Sequence, residues 1–309
     1  MDYEILWHRL TPLYETSEAK AIIRWVLDVR FGLSMADILC GKVKELSAND
    51  QKELETILQR LEKGEPVQYI IGVADFCGRQ FHVEPGVLIP RPETEELCRW
   101  ITQRDGSFVS MLCETQKNRP SVLSVLDIGT GSGCIAITLA LEMLEAKVTA
   151  WDISDEALRI AQENAQALGA EIIFEHQDIL NISLSTFLRP FGSKRPLAER
   201  HFPLSSKYDL IVSNPPYIQP KERDGMAKNV LDYEPHQALF TPEDQPIIFY
   251  QRIGDFAWQS LIPGGELYFE LNPLTADEVS DYLCGLGFTD IEIRQDQFGK
   301  QRFLKATKK

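Results

Sequence analysis

The chain has 309 residues, of which 46 are acidic and 32 are basic, giving a formal net charge of −14. Proteins that grip duplex DNA or ribosomal RNA over a long footprint usually present a basic face, so this charge disfavours a nucleic-acid partner and favours a neutral or basic protein surface. The length suggests two domains, and hydrophobic residues make up 44% of the chain, which is ample for two buried cores.

The cysteine and hydropathy patterns fit a reducing cytoplasm. The six cysteines occur without any C-x-x-C spacing, so they indicate neither a zinc site nor a disulfide framework. The sequence has no apolar stretch of membrane-span length, and the acidic start Met1-Asp2-Tyr3-Glu4 is unlike a signal peptide. We expect a cytoplasmic protein with no bound metal and no membrane contact, and we take it to be a monomer.

The first part of the chain, to about residue 66, has the pattern of a small helical bundle. Ser47 is the expected N-cap of one helix, with Asp50 three residues further on, as in a capping box. Gly64 is expected to end this helix. Apolar residues at helical spacing define its buried face and that of an earlier helix: Leu54, Ile57, Leu58 and Leu61, and Ile22, Ile23, Val26 and Leu27. Trp7 and Trp25 are expected in the core of the bundle.

Residues 69–92 form a bridge to the rest of the chain. Phe76 and the run Phe81-His82-Val83 flank Gly78, which predicts a β-hairpin. His82 is the histidine nearest a motif, and we interpret it as structural. From Glu93 onward helical and strand patterns alternate, as in a parallel sheet that is covered on both faces.

An apolar strand at residues 122–128 runs into the glycine-rich turn Gly129-Thr130-Gly131-Ser132-Gly133 and then into a helical pattern. This order lets a ligand approach the backbone at the carboxyl end of a parallel strand. The spacing differs from the G-x-G-x-x-G of dinucleotide binders, because Cys134 stands where the third glycine would fall. A second strand, residues 147–151, ends in Asp152, on the order of 20 residues past the loop, where a carboxylate suits the two hydroxyls of a ribose.

A later strand, residues 208–212, leads into Asn214-Pro215-Pro216-Tyr217. Proline fixes φ and lacks an N–H, so the proline pair stiffens the backbone and leaves carbonyl oxygens free to accept. The Asn214 side-chain oxygen and the Pro215 carbonyl can then accept two hydrogen bonds from one NH2 group, while Tyr217 stacks on the flat group that carries it. A glutamine side chain, adenine and cytosine all fit such a site. Taken by itself, the motif is equally compatible with a proline-rich turn that closes a strand.

Together these motifs resemble the class I S-adenosylmethionine methyltransferases. More narrowly, the chain resembles the HemK-type protein-(glutamine-N5) methyltransferases, which modify the glutamine of the Gly-Gly-Gln motif in peptide chain release factors. The likeness extends over nearly the whole chain, and PGVLIPRPETE is much more specific than NPPY, which DNA adenine methyltransferases share. The segments that carry it are residues 85–95 (PGVLIPRPETE), 126–133 (LDIGTGSG), 212–218 (VSNPPYI) and Tyr233-Glu234-Pro235 followed by Ala238-Leu239.

The resemblance implies a fold and a domain organisation. The expected fold is a Rossmann-like class I methyltransferase domain, with a mostly parallel seven-stranded sheet, and a small N-terminal helical domain joined to it by a β-hairpin. Residues 1–68 would form the helical bundle that binds the release factor, residues 69–92 the hairpin linker and residues 93–309 the methyltransferase domain. The cofactor would be S-adenosylmethionine, with S-adenosylhomocysteine as product and no metal.

The resemblance also assigns site residues. Asp152 would bind the ribose and Asp178 would lie near the adenine, while Ile179 stands where an aromatic residue is frequent. The residues expected to bind the cofactor are Gly129, Thr130, Gly131, Ser132, Gly133, Asp152, Asp178, Ile179 and Asn214. The substrate-binding residues would be Asn214, Pro215, Pro216 and Tyr217, of which Asn214, Pro215 and Tyr217 would act in catalysis. The expected mechanism is direct in-line methyl transfer without a general base, because the alkylated nitrogen is acidic enough to lose its proton to water.

Two other functions remain open. An adenine-N6 methyltransferase acting on DNA or RNA predicts a basic recognition segment with interleaved aromatic residues, and the sequence shows none. A non-catalytic adenosine-binding protein predicts damaged motifs, whereas Asp127 and the site residues above are intact.

Two departures from the family pattern bear on the substrate: Glu270-Leu271-Asn272 stands where many members have Glu-x-Gly, and Asp232 falls where arginine is common. Two polar stretches, residues 103–120 and 182–207, are predicted to be surface loops.

Overall fold

The computed structural model describes residues 2–103, 122–143, 145–182 and 208–309. The two predicted surface loops therefore lie outside the described residues, apart from their ends. The chain separates into two compact units. The first comprises Met1–Ala74, His82–Pro85 and Gly225–Glu234, and the second comprises Asp75–Phe81, Gly86–Asp224 and Pro235–Lys309.

The helices and strands are numbered here in chain order over the described residues. The helices are α1 (Tyr3–His8), α2 (Thr16–Phe31), α3 (Met35–Leu39), α4 (Ala48–Leu61), α5 (Val67–Ile71), α6 (Pro92–Thr102), α7 (Cys134–Glu142), α8 (Asp155–Leu168), α9 (Lys228–Tyr233), α10 (His236–Leu239), α11 (Ile248–Ser260) and α12 (Ala276–Leu286). Short 3-10 turns lie at Lys42–Glu45, Pro220–Gly225 and Pro273–Thr275. The strands are β1 (Val73–Phe76), β2 (Arg79–His82), β3 (Leu123–Ile128), β4 (Ala146–Asp152), β5 (Ile172–His176), β6 (Tyr208–Ser213), β7 (Leu261–Glu270), β8 (Phe288–Gln295) and β9 (Gln301–Lys308). None of the helices in the described ranges is long and apolar enough to cross a membrane.

The first unit follows the apolar periodicity of its sequence. Helix α4 begins after Ser47, whose hydroxyl accepts a hydrogen bond from the Asp50 amide at 3.2 Å, as the N-cap prediction requires. The predicted face of α4 is fully buried, and in α2 the same holds for all predicted residues except the half-buried Ile22. Trp7 lies in this core and Trp25 is half-buried. Because most of these helices are short, their packing rather than their helix propensity stabilises them.

A later segment of the chain also belongs to this helical unit. Helix α9, in the stretch that follows the Asn-Pro-Pro-Tyr motif, ends at Tyr233, and the Tyr233 hydroxyl donates to the Lys63 carbonyl at 3.2 Å. The unit is therefore assembled from residues far apart in sequence.

Strands β1 and β2 pair as the predicted hairpin. Its two turn residues, Cys77 and Gly78, both have positive φ, at 49° and 72°. Positive φ at both central positions is the geometry of a tight hairpin turn, and Cys77 is an uncommon residue there. Within the second unit the Cys77 amide donates to the Glu95 carboxylate at 3.0 Å, which holds the turn in place.

The second unit is built on a seven-stranded sheet of order β5-β4-β3-β6-β7-β9-β8. The first five strands in this order pair in parallel, and β9 runs antiparallel to both β7 and β8. This arrangement confirms the predicted class I methyltransferase fold with its mostly parallel seven-stranded sheet. Every residue of β6 is buried, as is usual when helices cover both faces of a parallel sheet.

Alternating side chains of the sheet enter two separate cores. Val125 of β3 packs in the core that includes α6 and α7, whereas its neighbour Leu126 packs in the core that includes α11 and α12. Successive side chains of a strand point to opposite faces, so this division follows from the strand itself. The two layers hold the carboxyl ends of the central strands in place from both sides.

One predicted boundary differs from the structure. Residues 263–265 (PGG) are predicted to form a turn before a strand that begins at Glu266, but β7 already begins at Leu261. The pairing shifts register here, because Tyr208 pairs with Leu261 and Leu210 with Glu266. Gly264 has φ +79°, and a Cβ at Gly265 would lie 2.9 Å from the Ile262 carbonyl oxygen. The glycine pair therefore forms an irregular section inside the strand.

Candidate active site

The sheet changes its winding direction between β3 and β6. Strands β4 and β5 extend to one side of β3, while β6 and β7 extend to the other. In open α/β sheets, ligands bind at the carboxyl ends of the strands at such a switch point. Asp152 is the last residue of β4, and the loops that follow β5, β3 and β6 carry Asp178, Gly129 and Asn214 respectively. The sheet therefore sets these predicted residues side by side at one edge.

A cavity of about 420 Å³ opens at this edge, within the second unit. Its volume is that of a site for a small molecule or cofactor. The predicted residues that line it are Gly129, Thr130, Gly131, Ser132, Asp152, Asp178, Ile179, Asn214, Pro215 and Pro216. Two predicted site residues, Gly133 and Tyr217, do not line it.

The glycine loop is fixed to the end of β4. The amides of Gly129 and Thr130 both donate to the Trp151 carbonyl at 2.9 Å, and the Gly131 amide donates to the Asp152 carboxylate at 2.9 Å. Gly129 and Gly131 have positive φ, and a Cβ built at either position would meet no atom within 4 Å. The loop therefore leaves open space beside its backbone where it borders the cavity.

Gly133 has a different surrounding. A Cβ there would lie 3.0 Å from the Ile137 Cδ1 and 3.1 Å from the Ala161 Cβ. These atoms belong to α7 and α8, so the third glycine of the loop allows the two helices to pack closely. Its position explains why Gly133 is absent from the cavity wall.

Asp152 presents a carboxylate at the cavity. Besides the Gly131 amide, it accepts a hydrogen bond from the Ser154 amide at 2.9 Å. Burial raises the pKa of Asp152, and these backbone hydrogen bonds oppose that rise. Asp178 is similarly anchored, because it accepts from the Leu180 amide at 2.9 Å and from the Asn181 side chain at 2.6 Å.

Asp127 lies behind the glycine loop and is fully buried. Its carboxylate accepts from the Thr130 hydroxyl at 2.7 Å. Burial raises the pKa of Asp127 to about 7, although the bond from Thr130 opposes the rise. A carboxyl group with such a pKa sits beside a loop that borders the cavity, and it is half charged near neutral pH.

Asn214 is part of a side-chain network. Its Nδ2 donates to the Thr94 Oγ1 at 3.2 Å, and the Thr94 hydroxyl donates to the Glu270 Oε2 at 2.6 Å. The Tyr217 hydroxyl donates to the other oxygen of the same carboxylate, Glu270 Oε1, at 3.1 Å. Burial raises the pKa of both Glu270 and Tyr217. Glu270 therefore joins the first and last residues of the Asn-Pro-Pro-Tyr motif.

Tyr217 lies behind the motif rather than in the cavity wall. Its ring packs partly against the core on the α11 and α12 side of the sheet, and its carbonyl accepts from the Asn272 side chain at 2.9 Å. The guanidinium carbon of Arg302 lies 5.9 Å from the ring centroid. The role of Tyr217 as a stacking surface for the substrate stays a prediction.

Several cavity residues received no site role from the sequence. Arg91 and Thr94 come from the PGVLIPRPETE segment, whose specificity was the signal that could have found them. Gln237, Ala238, Phe240 and Thr241 contribute another part of the wall. Their segment is held by backbone hydrogen bonds, in which the Ile218 amide donates to the Leu239 carbonyl and the Thr241 amide to the Ile218 carbonyl, each at 2.9 Å. Across the described ranges, no group of His, Cys, Asp and Glu side chains is arranged to hold a metal ion.

Comparisons with known proteins place this chain in a family. Residues 8–72 match the model of the PrmC N-terminal domain, and residues 120–242 match a methyltransferase domain model. A release factor glutamine methyltransferase of Bacteroides thetaiotaomicron is 42% identical over 299 residues, covering 97% of this chain and 96% of that protein. Those of Flavobacterium psychrophilum and Streptococcus pneumoniae are 35% and 37% identical, covering 96% and 88% of this chain and 94% and 86% of theirs. The chain belongs to the release factor glutamine methyltransferase family.

Proposed function

We propose that this protein transfers a methyl group from S-adenosylmethionine to the side-chain amide nitrogen of the glutamine in the Gly-Gly-Gln motif of peptide chain release factors. The observation that carries the proposal is that Asn214 and all the other predicted cofactor residues except Gly133 border one cavity. The names of the relatives supply the substrate, because they are release factor glutamine methyltransferases.

The groups that line the cavity support binding of S-adenosylmethionine. The Asp152 carboxylate suits the ribose hydroxyls, and the apolar side chains of Ile153 and Ile179 suit the faces of an adenine. From Asp178 to Asn214 the sheet edge crosses three strand spacings, about 14 Å, which accommodates an extended nucleoside with an amino-acid tail. When bound, S-adenosylmethionine supplies a methyl group that is bonded to a positively charged sulfur, and this sulfur is a strong leaving group.

The chain's own residues would place and activate the acceptor nitrogen. A glutamine amide is a poor nucleophile, because its nitrogen lone pair is shared with its carbonyl group. The Asn214 Oδ1 and the Pro215 carbonyl would accept the two hydrogens of that NH2 group and stabilise the positive charge that develops on the nitrogen. Fixing the nitrogen in line with the methyl group supplies the rest of the acceleration through placement. The proton of the alkylated nitrogen would leave to water.

The first unit would provide the docking surface for the release factor. The match of residues 8–72 to a domain model of the same family supports this assignment. The net charge of −14 also favours a protein acceptor over a nucleic acid. We assign residues 1–68 to this docking domain, residues 69–92 to the linker and residues 93–309 to the methyltransferase domain, with residues 225–234 of that last range belonging to the first unit.

The function is tested by incubating the protein with labelled S-adenosylmethionine and intact release factor. We expect one methyl group on the glutamine of the Gly-Gly-Gln motif, located by mass spectrometry, and no label when that glutamine is replaced by alanine. Label in DNA or RNA but not in the release factor would instead establish the adenine-N6 activity. Cofactor binding without transfer to any of these acceptors would establish a non-catalytic adenosine-binding protein.

The role of Asn214 is tested in the same assay. Replacing Asn214 by Ala removes one preorganised acceptor, so the rate should fall on the order of 10²–10³-fold. Asn214→Asp keeps an acceptor oxygen of nearly the same shape and should retain partial activity. Titration calorimetry with S-adenosylmethionine serves as the control for folding and cofactor binding. An Asn214→Ala variant that methylates the release factor at the normal rate would refute this role.

A further inference from the structure

The network behind Asn214 consists of groups that are almost completely shielded from water. Thr94 is 2% exposed and Glu270 is 1% exposed. The Asn214 Nδ2, the Thr94 Oγ1 and the Glu270 Oε2 form a continuous chain of hydrogen bonds, at 3.2 Å and 2.6 Å. The hydrogen-bonding capacity of each group in this chain is limited, so the direction of each bond can be worked out.

Burial raises the pKa of Glu270, but the hydrogen bonds from Thr94 and Tyr217 and the positive charge of Arg302 oppose that rise and favour the ionised form. An ionised carboxylate only accepts hydrogen bonds. The Glu270 Oε2 therefore takes the single hydroxyl proton of Thr94, and the Glu270 Oε1 takes that of Tyr217 at 3.1 Å. With its proton committed, the Thr94 oxygen can only accept from its other neighbour. The group of Asn214 that faces Thr94 must then be the NH2, which turns the Oδ1 away from Thr94.

We infer that Glu270 and Thr94 are positioning residues that set the orientation of the Asn214 amide, so that its oxygen rather than its NH2 faces the acceptor. The inference rests on the proposed function, in which an acceptor NH2 donates to that oxygen. A flipped amide would place one NH2 group against another and leave both without an acceptor, a loss comparable to an unsatisfied buried hydrogen bond. The network thus converts a side chain with two similar ends into a directional acceptor.

Glu270 also couples this orientation to the other end of the motif. The carboxylate that fixes Asn214 through Thr94 also accepts from Tyr217, so the proline pair is held between two points attached to one buried group. The backbone of Glu270 is also anchored, because the Tyr250 hydroxyl donates to the Glu270 carbonyl at 3.0 Å. The sequence separation of Thr94 and Glu270 is 176 residues, so only the folded sheet brings them together.

Thr94→Val is the sharpest test, since it preserves shape and removes the hydroxyl. We expect kcat for release-factor methylation to fall about tenfold, with the KM for the release factor and the affinity for S-adenosylmethionine changed less than about threefold. Thr94→Ser restores the hydroxyl and should recover most of the rate. The matched control is Thr138→Val, because Thr138 is buried in α7 and its hydroxyl has no hydrogen-bond partner among the described residues. Thr138→Val should leave the rate unchanged.

A double-mutant cycle with Asn214→Asp separates orientation from general damage. Both oxygens of the introduced carboxylate can accept, so orientation no longer matters in that background, and adding Thr94→Val should lower kcat less than about twofold. A purely structural role predicts the same tenfold loss in both backgrounds, and that result would overturn the inference. So would a Thr94→Val variant with normal kcat, or a Thr94→Ser variant as slow as Thr94→Val.

A second readout needs no methyl transfer. The NH2 signals of Asn214 in an amide NMR spectrum can be identified by their loss in Asn214→Asp. They should exchange with water at least about tenfold faster in Thr94→Val than in the unaltered protein, because their acceptor is gone. Equal exchange would overturn the inference even if the protein methylates the release factor. Faster exchange in a protein that leaves the release factor unmodified would uphold the orientation and refute the proposed function.

Discussion

The three glycines of the cofactor loop are expected to have separable roles, and alanine substitutions distinguish them. Gly129 and Gly133 have similar positive φ values, 75° and 82°, so alanine at either position incurs a similar backbone cost of about 1–2 kcal/mol. A Cβ at Gly129 meets nothing within 4 Å, whereas a Cβ at Gly133 lies 3.1 Å from the Ala161 Cβ and 3.3 Å from the Ala161 Cα. Since these atoms are part of a helix, they cannot move aside as the end of a flexible side chain would.

The steric contribution at Gly133 is therefore about 1–3 kcal/mol above the backbone cost. Gly133→Ala should destabilise the protein by roughly 2–5 kcal/mol in total, and Gly129→Ala by about 1–2 kcal/mol. In thermal denaturation, each kcal/mol lowers Tm by about 2–4 °C for a domain of this size. Gly133→Ala should thus melt several degrees below Gly129→Ala.

Cofactor affinity should depend on Gly131 more than on Gly133, because Gly131 lines the cavity and Gly133 does not. Titration calorimetry with S-adenosylmethionine should therefore show a higher Kd for Gly131→Ala than for the unaltered protein. For Gly133→Ala, measured well below its Tm, we expect a Kd within about threefold of that of the unaltered protein. If Gly133→Ala melts no lower than Gly129→Ala, the close approach of α7 and α8 is not what selects glycine. If it weakens the cofactor as much as Gly131→Ala does, Gly133 is a cofactor-binding residue after all.

Two further predictions concern carboxylates of the site, the half-buried Asp152 and the buried Asp127. Asp152→Ala should weaken S-adenosylmethionine binding by about 1.5–3 kcal/mol, the value of a hydrogen bond to a charged group, and an unchanged Kd in calorimetry would refute the ribose assignment. For Asp127, the folded-state pKa of about 7 exceeds the ordinary 3.8, so the unfolded chain loses this proton first. Its contribution to stability therefore falls as pH rises from about 4 to about 7, by roughly 4 kcal/mol in all. Asp127→Asn should flatten that decline in urea denaturation measured at pH 5 and pH 8, and an unaltered decline would contradict the assignment.

The parts of the fold that the sequence predicts well are those governed by local periodicity. The face of α4 and the N-cap Ser47 follow from residues within one helix, and each is where the pattern indicates. The strands before Gly129 and Asn214 are apolar runs that a sheet buried on both faces requires, so their carboxyl ends could be identified without knowing their neighbours. The resemblance predicted a mostly parallel seven-stranded sheet, but the order of its strands is seen only in the structure, because periodicity does not encode pairing.

Side-chain partnerships between distant segments could not be predicted. Nothing in the spacing of the sequence links Thr94 to Glu270 or to Asn214, although these contacts fix the polarity of the site. The irregular start of β7 escaped prediction for a related reason. Gly264 and Gly265 are typical of a turn, but the room they provide is used inside a strand whose pairing changes register. In both cases the deciding interaction is tertiary.

The departure at Asn272, where many family members have glycine, gains a physical meaning from the same network. The Asn272 Nδ2 donates to the Tyr217 carbonyl at 2.9 Å and to the Glu222 carboxylate at 2.8 Å, while its Oδ1 accepts from the Leu274 amide at 2.9 Å. A glycine has no side chain and can make none of these bonds. Glu270 therefore contacts the Asn-Pro-Pro-Tyr motif through side chains, whereas Asn272 binds the backbone at the last residue of the motif. Glu222 lies in the 3-10 turn Pro220–Gly225. The two hydrogen bonds donated by Asn272 therefore connect the end of the acceptor motif to the segment that follows it. Asparagine at position 272 thus adds contacts at the edge of the acceptor site. It does not alter the residues that are proposed to carry out methyl transfer.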